Sequence, residues 1–165
     1  MSGLPRFSQW TWAGLLFLGL TIAALVVLGH ADRTNLSLLQ MATVWAWPGL
    51  ATFYFASIFM RLPSLKLPED DLGDLEFVTR VFVSGALCVV SISILYLHYG
   101  LAAMPPETLS TATAFYFSVV TFATLGYGDL SPAEPIRIVA ASQSIVGNLH
   151  LGLFVAGIFP VLYRR

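Results

Sequence analysis

Thr124-Leu125-Gly126-Tyr127-Gly128-Asp129, TLGYGD, lies between two long apolar runs, and its reading decides the fold. Two glycines bracket a tyrosine and a carboxylate follows, in a chain of 165 residues that is 57% hydrophobic and only 10% charged. Mean hydropathy is +0.79. A soluble domain carries about 25% charged residues, so this chain lacks the polar surface to cover a globule of its size and reads as a membrane protein. The formal net charge of −1, without a basic block, gives no sign of a nucleic-acid partner. A lone cysteine, Cys88, sits inside an apolar run and reads as a small hydrophobe, with no disulfide framework within one chain.

Outward from the hexapeptide, four stretches have the roughly 20 apolar residues that cross a hydrocarbon core: 12–29, 38–60, 77–99 and 136–162. Backbone polar groups must be satisfied internally there, so each is expected to be a helix, with Arg80 in the first turn of the third. The first run exceeds the apolar length of about 7–15 residues usual in a signal peptide, which favours an uncleaved helix. The chain then divides into an N-terminal helix pair (1–60), an acidic cytoplasmic linker (61–76) and a C-terminal unit (77–165). The linker's EDDLGDLE, 69–76, lacks the spacing of an EF-hand and reads as solvated chain that caps the third helix.

The segment 108–125 is too short and too rich in Ser and Thr to span. Pro105 and Pro106 stop the preceding helix, and a new one is expected over 110–123, ending in TLGYGD. A short helix followed by Gly-rich extended backbone is a re-entrant loop, tolerated at membrane depth only where protein buries it or it lines water. With the N-terminus inside and four crossings, Arg6, Arg61, Lys66, Arg80, Arg164 and Arg165 fall on the cytoplasmic side, and Arg33 and Arg137 outside. That split obeys the positive-inside rule and opens the loop to the outside, with both termini cytoplasmic.

Taking a cation out of water costs on the order of tens of kcal/mol unless other oxygens replace its hydration shell. Successive backbone carbonyls do so if they converge on one axis, which needs alternate residues near left-handed geometry, where glycine goes without penalty. Gly126 and Gly128 stand at alternate positions, and the Thr124 hydroxyl adds an oxygen at the inner end.

These residues carry a family resemblance. AFYFSVVTFATLGYGDLSP, 114–132, resembles the pore helix and selectivity filter of potassium channels, whose filter is commonly Thr-Val-Gly-Tyr-Gly followed by Asp. Leu125 replaces the usual Val, at a residue that contributes its carbonyl. The resemblance covers roughly 77–162, making 77–165 a pore domain of outer helix, pore helix, filter and inner helix. It implies an all-α membrane protein with four transmembrane helices plus one re-entrant pore helix and filter loop per subunit, assembled as a homotetramer around a four-fold axis. Carbonyls of Thr124, Leu125, Gly126 and Tyr127 would hold dehydrated K⁺, and Gly128 would shape the outer mouth. No cofactor is implied beyond permeant K⁺, and the location is the lipid bilayer of a plasma (inner) membrane. Where the family often has Trp-Trp, this chain has Tyr116-Phe117, and Tyr116 is expected to donate to Asp129 and brace the filter. Some relatives carry a buried Glu at the position of Val120, a pairing absent here. Thr121 either bonds behind the filter or caps within the pore helix.

For the gate, Gly147 is read as a hinge or as a point of close packing. Gly152, Ala156 and Pro160 form a small-residue stripe, and Pro160 is expected to kink or end the helix. Asn148 faces either the cavity or another helix, and His150 reads as a neutral packed residue, with a pH gate as its rival. Pro48 suggests a kink in the second helix. Neither of the first two helices carries a row of arginines, so gating charges are not expected. With three residues after Leu162, a cytoplasmic ligand-binding domain is not expected. Paired acids, a metal cluster or an activated nucleophile are wanting, which argues against an enzyme. The leading reading is a K⁺-selective channel; a poorly selective monovalent cation channel and a non-conducting regulatory subunit are the alternatives.

Overall fold

A segment that is apolar on every side leaves its backbone no partner but itself, and the chain answers with helices. The computed structural model describes residues 9–30, 38–61 and 71–163. In order come α1 (Gln9–His30), α2 (Leu38–Arg61), α3 (Asp71–Tyr99), α4 (Thr111–Phe122), a 3-10 turn (Glu134–Ile136) and α5 (Arg137–Tyr163). Isolated bridges, Leu101 with Met104 and with Pro132, are the β-type pairings recorded among the described residues. Of the cations used above to orient the chain, Arg6, Arg33, Lys66, Arg164 and Arg165 lie outside the described residues.

Two helical segments are long and apolar enough to cross a membrane, Leu75–Tyr99 and Glu134–Phe159. They differ in what surrounds them. The apolar window of the first is 72% buried within the chain, that of the second 22%. α3 is therefore the hub, packed against α1, α2, α4 and α5, while α5 turns most of its surface outward. The main core joins Ile94, Leu95 and Tyr96 of α3 to Ala114 and Phe117 of α4 and Ala140 of α5. A smaller cluster seats Ala51 of α2 on Val83 and Leu87 of α3.

One boundary differs from the sequence expectation. α3 begins at Asp71 rather than 77, so the second half of the acidic stretch is helix and not linker. Acidic residues are those a helix accepts best in its first turns, where the aligned peptide dipoles leave partial positive charge. Residues 62–70 lie outside the described set. α2 and α5 end close to the expected residues, at Arg61 and Tyr163, and α5 continues through Pro160 rather than ending there. One turn beyond Pro48, the Thr52 hydroxyl donates to the Pro48 carbonyl at 2.8 Å, alongside the helix's own backbone ladder.

The longer α3 also moves Arg80 from a first turn into the third. There it is half-buried and bonded to Glu76, one turn earlier, at 2.5 Å. Thr11 of α1 completes the group: its hydroxyl donates to Glu76 Oε1 at 3.0 Å and accepts from Arg80 Nε at 3.2 Å. A charge at this depth is tolerated because it is paired and hydrogen-bonded. At the other end of α3, the Ala102 amide donates to the Ser131 carbonyl at 3.0 Å, which ties the α3–α4 loop to the segment after TLGYGD. Glu76→Gln is expected to lower stability by about 1–3 kcal/mol, and Arg80→Met added to it to recover part of the loss. Denaturant titration in detergent micelles, followed by far-ultraviolet circular dichroism, measures both.

Candidate functional site

The site is built on the end of α4. Its start is fixed by Ser110, an N-cap in extended geometry whose hydroxyl accepts from the Thr113 amide at 3.0 Å. Its end closes with two crossed bonds: the Leu125 amide reaches back to the Val120 carbonyl at 3.0 Å, and the Thr124 amide to the Thr121 carbonyl at 3.1 Å. That pair is a Schellman motif, which needs a left-handed residue just past the cap. The residue there is Thr124, with φ +55°. Glycine normally takes this place; a β-branched residue in it stores about 1–3 kcal/mol of strain. Thr124 is the one non-glycine residue with positive φ among the described residues.

Beyond it the alternation continues, with φ +58° at Gly126 and +79° at Gly128. The expected left-handed glycines are present, and the sequence reading missed that Thr124 joins them. Nothing lies within 4 Å of where a Cβ would stand at either glycine, so glycine is required here by backbone geometry and not by crowding. Residues 124–128 are exposed, Leu125 by 55% and Tyr127 by 67%.

Polar bonds hold this backbone from behind. Tyr116 on α4 donates to Asp129 Oδ2 at 2.9 Å, the bond expected from the resemblance. Phe117 is buried, edge-on to the ring of Tyr96 at 4.7 Å. Thr121 offers its carbonyl to Ser144 of α5 at 3.2 Å. A second set of bonds was not anticipated. Tyr96 of α3 donates to Gln143 of α5 at 2.7 Å, and Gln143 donates to the hydroxyl and carbonyl of Ser118 at 2.7 and 3.2 Å. Ser118 passes its own proton to the Val89 carbonyl at 2.7 Å. All three side chains are buried, and together they lock α3, α4 and α5. The signal was in the sequence, since Gln143 is a polar residue inside a spanning run, as Asn148 and His150 are.

The gate candidates separate. Gly147 is buried against the end of α4: a Cβ on it would fall 1.8 Å from the Phe122 carbonyl oxygen. Close packing is thus what the structure places there. Asn148 is exposed, beside Thr124 in a mostly apolar cleft of about 690 Å³ between α3, α4 and α5. Gly152 and Ala156 stand on the exposed face of α5. Pro160 lies in the last turns of α5, and its side chain is outside the described residues. His150 is buried and packed, with Nε2 3.0 Å from the Ser84 hydroxyl and Nδ1 2.8 Å from the Val146 carbonyl. No group of three or more His, Cys, Asp or Glu suited to a metal ion occurs among the described residues.

A helix, a backbone that turns left-handed at alternate residues, and two long flanking helices define a pore module. A family model described as ion channel matches residues 78–164, more than half of the chain. The chain belongs to that family, one of integral membrane channels and not of enzymes. It is 35% identical over 91 residues, 54% of its length, to the voltage-gated potassium channel Kch of Escherichia coli. It is 34% identical over 84 residues, 47% of its length, to a putative potassium channel protein of Rhodopseudomonas palustris. Each match spans about 20% of the relative. No solved structure matches the chain.

Gly147→Ala is expected to force α5 away from Phe122 and destabilise the fold by about 1–3 kcal/mol, the usual cost of overpacking. Tyr96→Phe, which deletes one hydroxyl from the buried network, is expected to cost about 1–2 kcal/mol. Both are read as shifts of the denaturant midpoint against the unaltered protein.

Proposed function

We propose that the protein is a K⁺-selective channel in which four copies of residues 124–128 surround one axis. The observation that carries this is the alternation of positive φ at Thr124, Gly126 and Gly128. In a peptide chain that alternation turns successive carbonyls to one side, and four such rows replace the hydration shell of a dehydrated cation. Carbonyls of Thr124, Leu125, Gly126 and Tyr127, with the Thr124 hydroxyl, are the proposed ligands, and Gly128 opens the outer mouth. Asp129 holds the frame through Tyr116 and secondarily draws cations to the mouth. The permeant ion is the cargo; no resident cofactor enters the account.

The homotetramer is supported by what one subunit leaves uncovered. Leu125 and Tyr127, Phe115 and Val119 of α4, and Ile145 and Leu149 of α5 are all exposed in the single chain. Exposed apolar area of this extent marks an interface with protein or lipid, and the filter cannot surround an ion from one side. α1 and α2, of 22 and 24 residues, are long enough to add two crossings to the two of the pore module. That gives four per subunit, with both termini cytoplasmic by the positive-inside split. The C-terminus of α4 would direct about half a negative charge toward the central cavity.

Purified protein in liposomes should show K⁺ efflux down a gradient and at least tenfold slower Na⁺ efflux. Equal rates for the two ions favour a poorly selective cation channel, and no flux favours a non-conducting regulatory subunit. Gly126→Asp is expected to abolish selective conduction, and unchanged permeation in that variant contradicts the filter assignment. Tyr116→Phe keeps the ring and loses the bond to Asp129; its K⁺ flux should run down faster than that of the unaltered protein under sustained gradient.

A further inference from the structure

The two N-terminal helices lie outside the pore module, yet one of them reaches the floor of the filter. Phe55 of α2 stacks on the ring of His150 of α5, centroids 4.3 Å apart and planes at 21°. On its other side His150 meets Phe122, the last residue of α4, at 5.3 Å. Room for both rings comes from Gly85 of α3, where a Cβ would stand 3.3 Å from Phe122 and 3.4 Å from His150. The imidazole cannot swing away, because Ser84 and the Val146 carbonyl hold its two nitrogens. Phe122 in turn is fixed by its carbonyl against Gly147, and two residues later comes Thr124, the strained start of the filter. α2, α3, α4 and α5 thus converge on one imidazole.

We infer that Phe55 positions the filter floor through His150, so that α2 is a working part of the conduction path and not an appendage to it. The inference deepens the channel reading, since what Phe55 positions is the proposed filter. The physical reasoning is short. Thr124 holds a costly conformation only while the end of α4 is over-determined by its surroundings. A stack that clamps Phe122 from the α2 side supplies one of those determinants. Polar bonds supply the others through Ser144 and Gln143 from α5. Removing the Phe55 ring frees the imidazole face and lets Phe122 relax into the adjoining cleft, which it lines together with His150 and Thr124.

The amides of Ala123, Thr124 and Leu125 report on this directly, because each is bonded to a carbonyl of the last turns of α4. Hydrogen–deuterium exchange of the peptide covering 120–127, in nanodiscs in K⁺ buffer, is the measurement. Phe55→Ala is expected to speed exchange there about tenfold. Phe55→Tyr, which keeps the aromatic face, should restore the slow rate. Phe53→Ala, on the same helix at an exposed position, should leave it unchanged. His150→Leu should match Phe55→Ala, and the double variant should add nothing further. If Phe55→Ala fails to fold, Phe55→Leu keeps the bulk and loses the stack, and the same rise is expected. Unchanged exchange over 120–127 in the folded Phe55 variant, or additive effects of Phe55→Ala and His150→Leu, overturns the inference. Replacing K⁺ by Na⁺ in the unaltered protein tests the filter separately: no faster exchange there counts against K⁺ binding at 124–127 while the Phe55 comparison still stands.

Discussion

Everything turns on how α4 ends. A helix leaves its last carbonyls without partners, and the usual remedy is a left-handed residue whose amide and the next one fold back onto them. Thr124 is that residue, and the same positive φ begins the alternation that Gly126 and Gly128 continue. One dihedral therefore closes a helix and opens the left-handed alternation that follows it. Because threonine resists this geometry, the surroundings must impose it, and they do so with the bonds of Leu125 and Thr124 to Val120 and Thr121.

The scaffold works by fixing α4 from several directions. α3 serves as the common wall, and the chain of Tyr96, Gln143, Ser118 and the Val89 carbonyl pins three helices with fully satisfied polar groups. In an apolar body such a network defines one arrangement, because helices that slide past each other would leave donors unpaired. Gly147 lets the α5 backbone approach the Phe122 carbonyl, and Tyr116 ties the segment after Gly128 to α4 through Asp129. Membership of an ion-channel family, whose model covers residues 78–164, places this construction in its functional class.

Much of this was legible in the sequence where a local rule applied. Composition and run length gave membrane helices; Ser110 and the paired prolines gave the start of α4; alternate glycines gave the left-handed positions. The bond from Tyr116 to Asp129 was expected from the resemblance to potassium channels, which often place a Trp donor there. What stayed hidden depended on partners far along the chain. Gln143 finds Ser118 25 residues away, Tyr96 finds Gln143 47 away, and Ser84 finds His150 66 away. Helices that are apolar on all sides carry no period to announce which face meets which. Gly147 read equally as hinge or contact until the Phe122 carbonyl appeared beside it, and the start of α3 was masked by acids that suit a linker and a helix's first turns alike.

The same reasoning gives the N-terminal helices a place. α1 bonds to α3 through the group of Thr11, Glu76 and Arg80, and α2 presents Phe55 to the imidazole that packs against the end of α4. The central claim, that residues 124–127 bind dehydrated K⁺ around one axis, is tested most directly by anomalous diffraction from crystals grown in Rb⁺ in place of K⁺. The account predicts a column of Rb⁺ peaks on a four-fold axis, level with the carbonyls of Thr124, Leu125, Gly126 and Tyr127. Ordered filter backbone with no anomalous peaks along it would contradict the account.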